Sequence, residues 1–220
     1  MPSRSRARAF ASAARQRLAL LGVPRSTGQA QSGLEDRFRE RARRLEAPRV
    51  LELGTARAIP ERSTMHRDLV PHAAEFLGTD LVPGADVDIV ADVHRLSEVA
   101  GEEAFDVILS FSTFEHLKYP HRAAHEVLKT LTVDGLVFVQ THQAFPLHAY
   151  PADYFRYTRE ALAALFGETM GFRVEATGYD YPAYLYARRI PDSHRHLCFL
   201  NTLLWGEKQA PTPAEYQYDL

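Results

Sequence analysis

From Arg49 onward the chain keeps returning to one pattern: a short, unbroken apolar run, a turn, then a helical or irregular stretch. Arg49–Leu53 is the first such run. Phe76–Leu81 is the second, closed by Pro83 and Gly84. Val87–Ala91 follows after a very short connection, and Phe105–Ser110 is the fourth. Asp134 and Gly135 form a turn before the fifth, Leu136–Gln140. Runs that are apolar without alternation belong to strands buried on both faces. Between the fourth and fifth, Ala123, Ala124, Val127, Leu128 and Leu131 recur at helical spacing. Arg159–Phe166 reads as a further helix. Phe172–Thr177 and Ala183–Ala187 are expected to form a terminal antiparallel pair. The fold class is therefore α/β, with a largely parallel sheet covered on both faces.

Composition narrows the function classes. A net charge of -2 over 220 residues gives no electrostatic footprint for nucleic acid, and no nucleic-acid partner is expected. The single cysteine excludes an internal disulfide and thiolate-rich metal sites, and favours a reducing, cytoplasmic setting. No apolar stretch reaches the roughly 20 residues of a spanning helix. Residues 1–34 differ from the rest, with six arginines and no acid. They read as a basic lead-in helix, with peripheral membrane contact as the alternative. Ser26–Gly33 reads as a linker. His194 and His196 lack the accompanying ligand spacing of a structural zinc site, so no metal is expected.

In parallel α/β sheets, ligands sit beyond the carboxyl ends of the strands. After the first strand come Glu52, Leu53, Gly54, Thr55, Ala56, Arg57, Ala58, Ile59 and Pro60. Gly54 permits a tight turn. A dinucleotide fingerprint wants further glycines where Ala56 and Ile59 stand, and Pro60 biases Ile59 away from helix. The pattern therefore disfavours a pyrophosphate cofactor. Asp80 and Leu81 end the second strand, where an acid can accept from ribose hydroxyls or simply cap a turn. Asp92 and Val93 follow the third, placed to meet an adenine amine and cover its ring, or to cap the next turn. Ser110 and Phe111 end the fourth, ahead of Ser112, Thr113, Glu115 and His116. The fifth runs into residues 141–158, unusually rich in His, aromatic and charged side chains for a connection.

These segments resemble the class I S-adenosylmethionine-dependent methyltransferases, in particular the methyltransferase type 11 group. The resemblance rests on VDIVADVHRLS, FDVILSFSTFEHL, EVLKTLTVDGLVFV and THQAFPLHAYPADYFRYT and spans roughly Arg49 to Arg188. It implies a Rossmann-like, seven-stranded, largely parallel sheet with helices on both faces and an antiparallel C-terminal strand. It implies S-adenosyl-L-methionine as cofactor, held by Glu52, Gly54, Thr55, Asp80, Leu81, Asp92, Val93, Ser110 and Phe111. The sequence departs from the group's E-x-G-x-G-x-G at Ala56 and Ala58, and from its KPGG turn at Thr132–Gly135. The expected organisation is a basic extension and linker over 1–47, a methyltransferase domain over 48–190 and a C-terminal extension over 191–220.

The expected reaction is methyl transfer to a small-molecule or glycan-type acceptor, at oxygen. A hydroxyl of high pKa wants a general base near neutral pKa, and histidine is the usual choice. The candidates are His142, His148 and His116. Asp153, Tyr154, Arg156 and Tyr157 are candidates for the acceptor pocket, although Asp153 and Arg156 can equally pair to brace the loop. Two rivals accompany this reading: a scaffold that kept the fold and lost turnover, and a nucleotide-dependent oxidoreductase.

Overall fold

The computed structural model describes residues 33–185 and 197–218. The basic lead-in helix, most of the linker and the pair His194/His196 lie outside them. Seven strands form one sheet: β1 (Arg49–Leu53), β2 (Glu75–Asp80), β3 (Ile89–Val90), β4 (Phe105–Phe111), β5 (Leu131–His142), β6 (Phe172–Tyr184) and β7 (Leu197–Lys208). Their order is β3-β2-β1-β4-β5-β7-β6. β7 runs antiparallel to both of its neighbours, and every other pairing is parallel. The strand order reverses between β1 and β4, so that is where a ligand crevice belongs.

Both faces are covered. On one lies α1 (Leu34–Ala42), whose Leu34, Phe38 and Ala42 recur every fourth residue and are fully buried. Phe38 packs 5.0 Å from Phe138 and 6.2 Å from Trp205. Arg41 ties the helix to β7 through Glu207 at 2.6 Å. On the other face lie α2 (Leu96–Ala100), α3 (Pro120–Thr130) and α4 (Arg159–Ala163). α3 opens on Pro120, a residue whose missing N–H costs a first helical turn nothing. It buries Ala123, Ala124, Val127 and Leu128 against the sheet. Among the described residues no α-helix stands between β1 and β2 or between β2 and β3; the first of these gaps holds only the 3-10 turn Arg67–Leu69.

Two expectations need correction. The terminal pair is not Phe172–Thr177 with Ala183–Ala187. Residues 172–184 form one long strand, paired from Phe172↔Lys208 to Tyr184↔Leu197. Tyr179 stacks on Phe199 of β7, rings 5.0 Å apart, across the middle of this pairing. The sheet also does not stop at residue 190, because β7 lies inside the region expected to be an extension. It pairs with β5 on one edge and β6 on the other, and Asn201 and Thr202 break its apolar run, so the sequence shows no unbroken strand there. The segment after it folds back. Gln209 N–H donates to Gly171 O, and Tyr216 packs against the core beside Leu165.

Phe38 is the largest side chain that α1 buries against the sheet. Phe38→Ala is expected to cost about 3–5 kcal/mol, read as a lower midpoint in urea unfolding. A loss below about 1 kcal/mol would show that α1 does not depend on this contact.

Candidate active site

A cleft of about 430 Å³ opens at the carboxyl ends of β1 to β4. Gly54, Asp80, Leu81, Asp92, Val93, His116 and Tyr154 all line it, so seven residues singled out from the sequence converge there. Ala91, His94, Ser112, Thr113, Leu117, Lys118 and Ala152 complete the wall. The volume falls within the range of about 300–1,000 Å³ typical of small-molecule sites.

The turn after β1 is shaped by close packing. Gly54 has φ 74°, and a Cβ there would lie 2.2 Å from Thr113 Oγ1. Thr113 Oγ1 in turn donates to Leu53 O and Phe111 O, locking β1 to the end of β4. Thr55 is buried and donates to Asp86 O at 2.6 Å, behind the cleft. Asp80 Oδ2 accepts from Ala56 N at 2.9 Å, which fixes the carboxylate at the rim. Asp92 caps the turn over Val93–Arg95 and accepts from His94 N and from the His94 ring. Tyr119 N donates to His94 Nε2, so the proton of that ring sits on Nδ1 and faces Asp92. Burial works against the charge on Asp92, but these hydrogen bonds outweigh it and hold the carboxyl below its usual range.

Four residues expected at the cofactor stand elsewhere. Glu52 is buried and spends both oxygens on His66, at 2.7 Å to Nδ1 and 2.8 Å from the backbone N–H. Its work is to hold the long turn after β1, and His66 stacks on Phe111 at 3.5 Å. Ser110, Phe111 and Thr55 support the wall without lining it. In the 141–158 segment, Asp153 and Arg156 pair at 2.6 Å and brace the loop. The guanidinium holds the Asp153 carboxyl well below its usual range. Tyr157 is buried with its hydroxyl donating to Phe114 O, and burial raises its pKa strongly. Of the four acceptor candidates only Tyr154 reaches the cleft.

The three histidines meet. His116 and His148 have ring centres 4.8 Å apart, and His142 and His148 5.2 Å. His116 is the one that lines the cleft. Its Nδ1 lies 2.6 Å from Ala152 O, so Nδ1 carries the proton and Nε2 is bare. His142 is buried under Phe145, stacked at 4.1 Å, with Nε2 3.0 Å from Glu115 Oε1. Burial opposes a charge on His142, and the interaction with Glu115 outweighs it, so the imidazole pKa is raised. Glu115 is wholly buried and also accepts from Thr141 Oγ1 at 2.7 Å. Burial disfavours its ionised form, yet His142 and Thr141 together hold its pKa below the usual value. His94 left a trace in the sequence, beside Asp92. Asn201, which faces His142 at 3.1 Å, left none, because it lies on the strand that escaped notice.

The contact between Gly54 and Thr113 yields a test of the turn. Gly54→Ala must adopt a left-handed backbone, at about 1–2 kcal/mol, and must also displace Thr113. It is expected to lower the unfolding midpoint and to distort the cleft; a variant as stable as the parent would refute the close packing.

Residues 5–181 match the family described as a methyltransferase domain. Solved structures agree on the fold. An S-adenosylmethionine-dependent methyltransferase from Archaeoglobus fulgidus superposes with TM-score 0.55 at 14% identity, over 79% of this chain and 92% of that one. The 1,6-didemethyltoxoflavin-N1-methyltransferase from Burkholderia thailandensis, with bound 1,6-didemethyltoxoflavin and S-adenosylhomocysteine, gives 0.52 at 17%, over 80% of each chain. The [4+2]-cyclase SpnF gives 0.53 at 15%, also over 80% of each. No curated protein matches the sequence. The match extends over most of the chain, and the sheet order, the cleft at the strand ends and the neighbours agree with it: the chain belongs to the methyltransferase domain family and has the class I, S-adenosylmethionine-dependent fold.

Proposed function

We propose that the protein binds S-adenosylmethionine in the cleft at the ends of β1 to β4 and transfers its methyl group to an oxygen of a small-molecule or glycan-type acceptor, with His116 as general base. The observation that carries this is the cleft itself. Its walls bring Gly54, Asp80, Asp92 and Val93 together, and His116 closes it with a bare Nε2.

The residues present fit the cofactor. Asp80 keeps lone pairs for a ribose diol beyond the one that Ala56 occupies. Asp92 stands beside Val93 and Leu117, an acid next to apolar cover, as an adenine requires. No helix starts at the turn after β1, so the backbone offers no helix N-terminus to a pyrophosphate there. That supports the methyl donor over a dinucleotide. When bound, S-adenosylmethionine supplies an electrophilic sulfonium methyl. The chain's own residues orient the acceptor against it, which can contribute several kcal/mol of the barrier. His116 Nε2 accepts the acceptor's hydroxyl proton, while Ala152 O holds the ring in the required tautomer. Tyr154 lines the cleft, is exposed, and presents a flat ring to a hydroxylated acceptor. The neighbouring cyclase shows that this fold alone does not dictate the reaction.

Two measurements test the proposal. In calorimetry, Asp80→Asn is expected to weaken S-adenosylmethionine binding about tenfold or more, the loss of one charge-assisted hydrogen bond of about 1.5–3 kcal/mol. Absence of binding by the parent at millimolar ligand would overturn the cofactor assignment. His116→Asn is expected to lower turnover by about 10²–10⁴ with cofactor affinity unchanged, read as S-adenosylhomocysteine formed with a polyhydroxylated acceptor panel. Full turnover by this variant would remove His116 as base. A parent that binds but never turns over would instead be a scaffold.

A further inference from the structure

Beside the cleft, Glu115, His142 and His148 place one ligand atom each within 4.8 Å of one another. They come from the turn after β4, the end of β5 and the loop beyond it. The hydrogen bonds around them decide which atoms are free. His142 Nδ1 faces Asn201 Oδ1 at 3.1 Å. An amide oxygen only accepts, so Nδ1 carries a proton, and Nε2 is the ring atom turned toward Glu115. His148 Nδ1 lies 3.1 Å from Pro146 O, which likewise puts its proton on Nδ1 and leaves Nε2 bare. Glu115 Oε2 is taken by Thr141, while Oε1 is fully buried and has no hydrogen-bond donor. It lies 3.0 Å from His142 Nε2 without the alignment of a hydrogen bond.

Three potential ligand groups thus meet, two buried and one half-buried, and Glu115 Oε1 among them has no aligned donor. A buried, unpaired carboxylate oxygen is costly. A cation resolves the arrangement. Ligand bonds of about 2.0–2.2 Å meeting near a right angle put an oxygen and a nitrogen about 3 Å apart, which is the observed separation of Oε1 and Nε2. We propose that Glu115, His142 and His148 bind a divalent first-row transition metal ion. Two imidazoles and one carboxylate suit such an ion and leave positions open for an outside ligand. Asn201 and Thr141 are the outer partners that orient the ligands. The overlapping group His116, His148 and Asp153 is the weaker set, because Arg156 already occupies both Asp153 oxygens and adds its own positive charge.

The site adjoins the cleft through His116 and Ala152. What the ion would do there rests on the proposed methyl transfer. An acceptor hydroxyl bound to it would be acidified and held for His116, so the acceptor class would be one with an oxygen free to coordinate. The existence of the site does not depend on that reading.

Equilibrium dialysis of the full-length apo protein against Co²⁺ and Zn²⁺ tests it, with visible absorption reporting cobalt coordinated by nitrogen. One ion per chain is expected. His148→Ala leaves the buried Glu115–His142 pair in place, so its fold is expected to persist in circular dichroism. It should weaken binding at least tenfold. His142→Ala should abolish binding, and Asn201→Ala should weaken it roughly 10–100-fold. The double variant His194→Ala/His196→Ala should bind like the parent. No ion retained by the parent, or binding unchanged in folded His148→Ala, would overturn the site. Calorimetry with S-adenosylmethionine on the same samples separates this failure from failure of the methyl-transfer reading.

Discussion

The carboxylate of Glu115 is buried at the ends of β4 and β5, and much of the active-site end is organised by what it needs. One oxygen draws Thr141, the other faces His142. The backbone carbonyl of the same residue accepts from Tyr154 N at 2.9 Å and Phe155 N at 3.1 Å, which folds the 143–158 loop back over the strand ends. Tyr157 N then donates to His142 O, and Thr202 Oγ1 to Tyr157 O, which carries the restraint across to β7. One residue thus couples two parallel strands, the antiparallel strand and the loop. Truncating a single partner would leave a buried group unsatisfied, the costly direction for such networks.

The cleft depends on a second constraint, the approach of the β1 turn to the end of β4. Gly54 and Thr113 are in contact, and Gly54 and Thr55 both donate to Thr79 O on β2. This locks three neighbouring strand ends at fixed spacing. The turn then runs long, held by Glu52 on His66 and by Arg57 on Asp86 at 2.6 Å. That ion pair is partly shielded, with side chains 25% and 15% exposed, and its contribution to stability is modest. Its hydrogen bonds nonetheless lower the Asp86 pKa to about 2, so it persists across the physiological range. Ala56 and Ala58 stand in a turn from which no helix begins. Ala56 still contributes its N–H to Asp80.

Chain order was enough for the sheet's parallel half, for the strand ends as the place to look, and for singling out Gly54, Asp80, Leu81, Asp92, Val93 and His116, which the fold brings to one cleft. Unbroken apolar runs and acids just past them are local signals, so they survive in one dimension. Tertiary structure decided the rest. Glu52 resembles a cofactor ligand by position, but His66, fourteen residues on, takes its oxygens. Asp153 and Arg156 were open between acceptor pocket and brace, and the loop's geometry makes them a brace. β7 could not be read because Asn201 and Thr202 interrupt its apolar run and Gly206, Glu207 and Lys208 end it. The meeting of Glu115, His142, His148 and Asn201 is invisible in sequence for another physical reason. Their side chains come from separate elements, and only the order of strands in the sheet brings them within reach of one another.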